Sequence, residues 1–221
     1  MFLEIDDLLT PAEVAELSAL AAKATFVDGR ISSPHSTVKK NTQIDHADAA
    51  YQASSSLLAA ALRRSEPFIN FAFPAAMAPP LLARYGPGMA YGMHVDSAII
   101  PLGQRQLRSD ISCTVFISEP DAYDGGALAI RVGTRVVEFK LKAGAAIVYP
   151  STTLHEVVPV TRGQRLVGIT FIESHIVDPM MRELLYELDE VAALEGLNMA
   201  PENRNRLQYV RSNLRRLWGT S

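Results

Sequence analysis

The chain has one cysteine, Cys113, among 221 residues, so no intrachain disulfide can form. It also lacks the marks of export. The amino end reads MFLEIDDLLT, with acids where a secretory signal carries basic residues, and no long apolar core follows. No run is long and apolar enough to span a bilayer. The most apolar stretch, Phe68 to Ala83, is interrupted by Asn70, Pro74, Pro79 and Pro80. Positive charge is not in excess either. A net charge of -3 gives no support to a nucleic-acid partner. No internal repeat or low-complexity tract stands out. These absences leave a cytoplasmic protein with no membrane partner as the expectation. A hydrophobic content of 48% and a charged content of 20% suit one globular domain with elaborations.

The chain divides into three parts. Residues 1–78 read as an N-terminal elaboration of helices and a strand. Thr10-Pro11-Ala12-Glu13 has the form of a capping box, with proline in the first turn. Val14, Leu17, Ala21 and Ala22 then share a face. Phe26 to Arg30 reads as a strand and turn, and the alanine-rich segment 48–64 as a second helix. Residues 79–176 change character. Eight short β-prone runs, near 81–85, 90–95, 111–118, 127–132, 135–139, 145–149, 156–160 and 165–173, are separated by glycine, proline and aspartate. That pattern predicts a mainly β core with flanking helices, as a double-sheet jelly roll or a barrel. Residues 177–221 return to helix. Asp178-Pro179 starts one helix with an apolar stripe of Met181, Leu184, Leu185, Leu188 and Val191. Pro201 starts another, with Leu207, Val210, Leu214 and Leu217 at heptad-like spacing and Gly219 as its stop. Five arginines crowd that last helix, and its leucines suit packing on the β core or on a second subunit, a homo-oligomer.

Of the five histidines, His94 is the informative one, because Asp96 follows at a spacing of two. On a strand, such residues point to the same face. An imidazole and a carboxylate side by side are two ligands of a facial triad. His155, beside the strand at 145–149, could complete it. It could equally be a packed core residue or an exposed loop residue. Arg165 follows ten residues later. Alone it reads as a surface ion-pair residue. Beside His94, Asp96 and His155 it becomes a guanidinium able to grip a carboxylate bidentately. The turn 160–163 is expected to set the strands of His155 and Arg165 antiparallel, with Arg165 deeper.

His-x-Asp, a distant histidine and an arginine ten residues on resemble the 2-oxoglutarate-dependent oxygenases of the prolyl-4-hydroxylase-like branch. The stretches 26–30, 38–41, Arg84-Tyr85, Tyr91 to Asp96, 107–110, Tyr123 to Gly126, Tyr149 to Ser151, 159–163 and Tyr186 to Asp189 are similar to the bacterial PKHD-type hydroxylases over nearly the whole chain. The resemblance implies a double-stranded β-helix, Fe(II) held by His94, Asp96 and His155, and 2-oxoglutarate held by Arg165. It further implies L-ascorbate as reductant, O2 as co-substrate, and a helical region at the C-terminus. The primary substrate, a small molecule or a protein, stays open; PKHD-like proteins are associated with bacterial iron and siderophore uptake. One departure is Phe116, where animal prolyl hydroxylases often have a tyrosine that touches the co-substrate carboxylate. Tyr85, Ser112 or Thr170 could supply that contact.

Two rivals share the metal ligands. A cupin-type metalloenzyme would need no keto acid and no Arg165, and a non-catalytic iron-responsive binding protein would bind metal without turnover. Other residues take plain readings. Cys113 reads as buried in a strand, His46 as a surface residue, His35 as solvated or as touching substrate if its loop folds over the barrel mouth, and His175 as unsupported in any role near the metal. The segment 97–108 is either a mobile connection or a substrate-selecting lid.

Overall fold

Alternation along the strands sets the architecture of this computed structural model, which describes residues 1–220. All six residues of Ile111–Phe116 are buried. Cys113 and Val115 pack with Leu17, Leu58, Leu62 and Phe68 of the helices. Phe116, on the opposite face, packs with Tyr123, Ile130, Ile147 and Tyr149. A strand covered on both sides carries few polar residues, as this one does.

It lies inside an eight-stranded antiparallel sheet. The order is Leu3–Ile5, Ala146–Pro150, Ile111–Phe116, Arg165–Ser174, Leu81–Tyr85, Thr42–Ile44, Phe26–Asp28, with Pro74–Met77 also paired to Arg165–Ser174. Facing it is a five-stranded sheet ordered Arg135–Phe139, Leu128–Val132, His155–Val157, Ala90–His94, Lys39–Lys40. The second apolar cluster draws on both sheets and fills the space between them. The core is thus a jelly roll of two facing sheets, and its strands do not close into a barrel. Five strands of the segment 1–78 extend these sheets.

Helices α1 (Pro11–Lys23), α2 (Ala49–Arg64) and α3 (Glu66–Ala72) cover the outer face of the larger sheet. The capping box on α1 is present: Glu13 N donates to Thr10 Oγ1 and Thr10 N to Glu13 Oε2. Asp48 caps α2 through Ala50 N at 2.9 Å. Gly168 lets α2 approach the sheet, since a Cβ there would come within 2.7 Å of Leu58 Cδ1. Leu58 is fully buried, and truncating it to alanine would remove about 2–5 kcal/mol of stability.

α4 (Pro179–Glu195) and α5 (Pro201–Trp218) begin at Asp178-Pro179 and Pro201, and α5 ends at Gly219, as expected. Their apolar stripes are largely exposed in the single chain. In α4 only Leu185 of the stripe is buried, and Leu184 is 52% exposed. In α5 no residue is buried. What joins the two helices is charge: Asp189 of α4 accepts from Arg211 and Arg215 of α5. Apolar periodicity identifies the face of a helix, not what covers it.

One further expectation is corrected. The segment 160–163 is not a turn but a strand, Val160–Gly163, paired with Tyr123–Gly125. Gly163 has φ +72, and a Cβ there would sit 2.0 Å from Ala122 O, so glycine permits this pairing. His155 and Arg165 consequently lie in different, facing sheets. The segment 97–108, open between a mobile connection and a lid, is largely a hairpin, Ile99–Leu102 with Arg105–Arg108, and Arg108 donates to Ser174 O of the larger sheet at 3.0 Å.

Candidate active site

His94 closes the strand Ala90–His94, and Asp96 follows two residues on. His155 opens the neighbouring strand and pairs directly with His94 across the ladder. One ligand atom from each of the three lies within 4.8 Å of the other two. His94 Nε2 stands 3.7 Å from Asp96 Oδ1, and His155 Nε2 stands 3.6 Å from Asp96 Oδ2. These separations are too long for good hydrogen bonds. Donors about 2.1 Å from a common ion would stand roughly 3 Å apart, so a small inward movement accommodates a divalent cation.

The tautomers suit that role. His94 Nδ1 donates to Gly92 O at 2.8 Å, and His155 Nδ1 donates to Thr153 O at 2.9 Å. A carbonyl only accepts, so each Nδ1 carries the proton and each Nε2 keeps a lone pair facing Asp96. Burial pushes the His155 imidazole down, against the pull of Asp96, and favours its neutral form. Burial alone would push the Asp96 carboxyl up. The neighbouring imidazoles and the Ser112 hydroxyl outweigh it and hold the group below the usual carboxylate range.

Behind Asp96 runs a buried chain of hydroxyls. Ser109 donates to Ser151 at 2.8 Å, Ser151 meets Ser112 at 2.7 Å, and Ser112 donates to Asp96 Oδ2 at 2.6 Å. Ser112 is therefore committed to Asp96. Thr170 is committed as well, donating to Ala78 O at 2.6 Å. Neither supplies the second co-substrate contact considered from the sequence.

Arg165 begins its strand on the inner face, because its neighbour Leu166 belongs to the outer cluster and Val167 to the inner one. It is 1% exposed, and its Nε has no hydrogen-bond partner. Among the described residues it meets no carboxylate within ion-pair distance. Its guanidinium carbon lies 5.1 Å from the Tyr85 ring centroid and 5.6 Å from that of Phe116. A buried cation in aromatic surroundings without a counter-charge is unfavourable. An arriving carboxylate would relieve it. Tyr85 lies beside it, its phenol pushed up to about 12 by burial, with Arg165 and Asn41 opposing. Tyr123 is fully buried, and its hydroxyl has no partner. Burial raises that phenol, and the Arg165 guanidinium opposes the rise.

Residues 80–173 match the family model of the 2OG-Fe(II) oxygenase superfamily. A PKHD-type hydroxylase from Sphingopyxis alaskensis is 56% identical over 96% of this chain and 96% of its own. The chain belongs to the PKHD-type hydroxylases. Another PKHD-type hydroxylase, from Thermosynechococcus vestitus, is 40% identical over 99% of both chains. Among solved structures, a 2OG-Fe(II) oxygenase family oxidoreductase from Burkholderia pseudomallei superposes with a TM-score of 0.55 at 20% identity, covering 78% of this chain and 84% of that one. HygX from Streptomyces hygroscopicus, solved with nickel and 2-oxoglutarate, gives 0.55 at 14% identity, covering 80% and 84%. This PKHD-type hydroxylase is thus a 2-oxoglutarate-dependent dioxygenase, and its family implies Fe(II), 2-oxoglutarate and O2.

The remaining histidines lie elsewhere. His175 Nδ1 donates to Thr220 O at 2.9 Å and helps seat the carboxyl end. His46 stacks on Tyr51, and His35 lines a cleft beside Lys39. Cys113 is buried, its thiol pushed up to about 12 by burial. No helix among the described residues is long and apolar enough to cross a membrane. Sequence reasoning missed Tyr123, whose segment reads as a turn, and Lys39, which it did not single out. The tyrosine in the 123–126 stretch was the available signal for the first.

Proposed function

We propose that His94, Asp96 and His155 hold Fe(II) and that Arg165 grips the distal carboxylate of 2-oxoglutarate, in an enzyme that hydroxylates an unidentified substrate. The observation that carries this reading is Arg165 itself, a buried guanidinium without a carboxylate partner. A metalloenzyme that used no keto acid, or a protein that only bound iron, would leave that charge unexplained.

When bound, iron and 2-oxoglutarate together split dioxygen, with one oxygen entering succinate as carbon dioxide leaves and the other entering a substrate C–H bond. The protein's own groups do quieter work. The two imidazoles present lone pairs, with Nδ1 fixed by Gly92 O and Thr153 O. Ser112 donates to one oxygen of Asp96 and orients it. Arg165 neutralises the co-substrate, with the Tyr123 hydroxyl as its second hydrogen-bond donor in place of the phenol that Phe116 lacks. Tyr85 flanks the guanidinium. No residue is needed as a general base.

We assign the chemistry to residues 79–176, with 1–78 and 177–221 as elaborations. A cytoplasmic setting, L-ascorbate as reductant and a place in iron or siderophore metabolism are the context we propose, supported by the family resemblance. The test is anaerobic addition of 2-oxoglutarate to the Fe(II)-loaded protein, followed by air and labelled keto acid. A visible charge-transfer band and iron-dependent succinate formation are expected. Metal binding with neither would overturn the reading.

A further inference from the structure

Lys39 is a second buried cation that the chemistry above does not use. It is 8% exposed, yet among the described residues it has no carboxylate within ion-pair distance. Its ammonium donates to Ser32 Oγ at 2.8 Å, and that hydroxyl turns its own proton toward Gln43 Oε1 at 2.8 Å. An ammonium has three donors, so two are left over. Burial pushes the group down to about 8, with the charges of Asp96 and Asp28 opposing.

Its position connects two regions. Lys39 pairs with Tyr91 at the edge of the smaller sheet. Its Nζ lies 5.2 Å from the Tyr91 ring centroid. That ring stacks on His94, with centroids 3.5 Å apart and planes 13° apart. On its other side Lys39 lines a cleft of about 850 Å³ together with His35, Ser36, Thr37, Asn41 and Met89. The lysine therefore lines the cleft and neighbours a metal ligand only through the Tyr91 ring.

We propose that Lys39 is an anion-binding position on the substrate side of the metal centre, and that the primary substrate carries a carboxylate which it receives. The word substrate rests on the oxygenase reading; the anion site does not. The larger cation nearby is already engaged, since Arg30 is held by both oxygens of Asp28. Lys40 also lines the cleft but is exposed, so Lys39 is the one buried positive charge there, which matches one negative charge and favours a carboxylate over a doubly charged phosphate. The co-substrate is a separate matter, because Arg165 lies in the facing sheet. A purely packing role would leave two buried donors without purpose, where methionine would fill the same space.

Lysine side-chain resonances can test this in the full chain. The sequence has only five lysines, so carbon-13 labelling of lysine gives few Cε signals and leaves the ammonium donors intact, and Lys39→Arg identifies the one of interest. The protein is loaded with Zn(II) in place of iron and saturated with 2-oxoglutarate, then titrated with N-acetylglycine, its amide, or methyl phosphate. The acid is expected to shift the Lys39 signal saturably and move its titration to higher pH, binding roughly tenfold or more tighter than the amide, as one added ion pair of about 1.4 kcal/mol would give. Ser32→Ala should weaken the response while leaving the signal present. No response to the acid, or an equal response to the amide, overturns the site. A stronger response to methyl phosphate overturns the carboxylate. Absence of the iron–keto acid absorption band in a parallel Fe(II)-loaded sample would strike the oxygenase reading instead, and the two failures are separable.

Discussion

His94 and His155 pair directly across one antiparallel rung, with ring centroids 4.3 Å apart and planes tilted by 52°. The ladder, not a loop, sets their separation. Both Nε2 atoms can therefore meet one ion only if the two strands keep their register.

His155→Ala should remove a ligand without removing the fold. Calorimetric titration with Mn(II) as a surrogate should show affinity falling by about 100-fold or more. The native protein should gain about 2.7 kcal/mol at a metal concentration 100 times its dissociation constant, and lose it to a chelator. The variant's melting temperature should ignore both. A variant that still binds metal normally would remove His155 from the site.

Ser112→Ala should weaken metal binding by roughly 10- to 100-fold, although Ser112 is not a ligand. Its hydroxyl donates to Asp96 at 2.6 Å, and alanine leaves that oxygen free to turn. Ser109→Ala, two hydroxyls further back, should have a smaller effect. Equal metal affinities in all three proteins would show that the hydroxyl chain does not orient Asp96.

Arg165→Met should abolish the keto acid absorption band while sparing metal binding. It should also stabilise the protein in the absence of 2-oxoglutarate, by about 1–4 kcal/mol, because an apolar side chain replaces an uncompensated buried charge. Denaturant unfolding measures this. A less stable variant would mean that Arg165 has a counter-charge in the free protein.

Glu13 should shape the acid limb of stability. Its pKa lies at about 2 against an ordinary 4.5, chiefly through the hydrogen bond from Arg64, which meets it with two nitrogens. A depressed carboxyl contributes stability that is fully present above 4.5 and is lost as pH falls toward 2. Arg64→Ala should flatten melting temperature against pH in that window and leave the neutral-to-alkaline limb in place. An unchanged acid limb would remove this pair from the account.

Much of the site was legible because it rests on local rules. His94 and Asp96 are two apart near a strand end, Asp178-Pro179 and Thr10 to Glu13 are helix starts, and each element begins where the sequence places it. Arg165 was legible as a partner for a carboxylate, but not as the occupant of a facing sheet. That depends on Val160–Gly163 pairing with Tyr123–Gly125, a contact no local signal announces. The same pairing carries the Tyr123 segment, whose glycines read as a turn. Lys39 escaped notice because two adjacent lysines look solvent-facing, and only its register opposite Tyr91 buries one of them. The stripes on α4 and α5 were read correctly as apolar, yet their expected cover is not among the described residues.

A guanidinium sealed among Tyr85, Phe116 and Tyr123 makes the folded chain responsive to what reaches it. Any ligand that binds the native form alone shifts the balance away from the unfolded chains that proteases degrade. Occupancy by a keto acid at that position would then protect the fold as well as supply its chemistry.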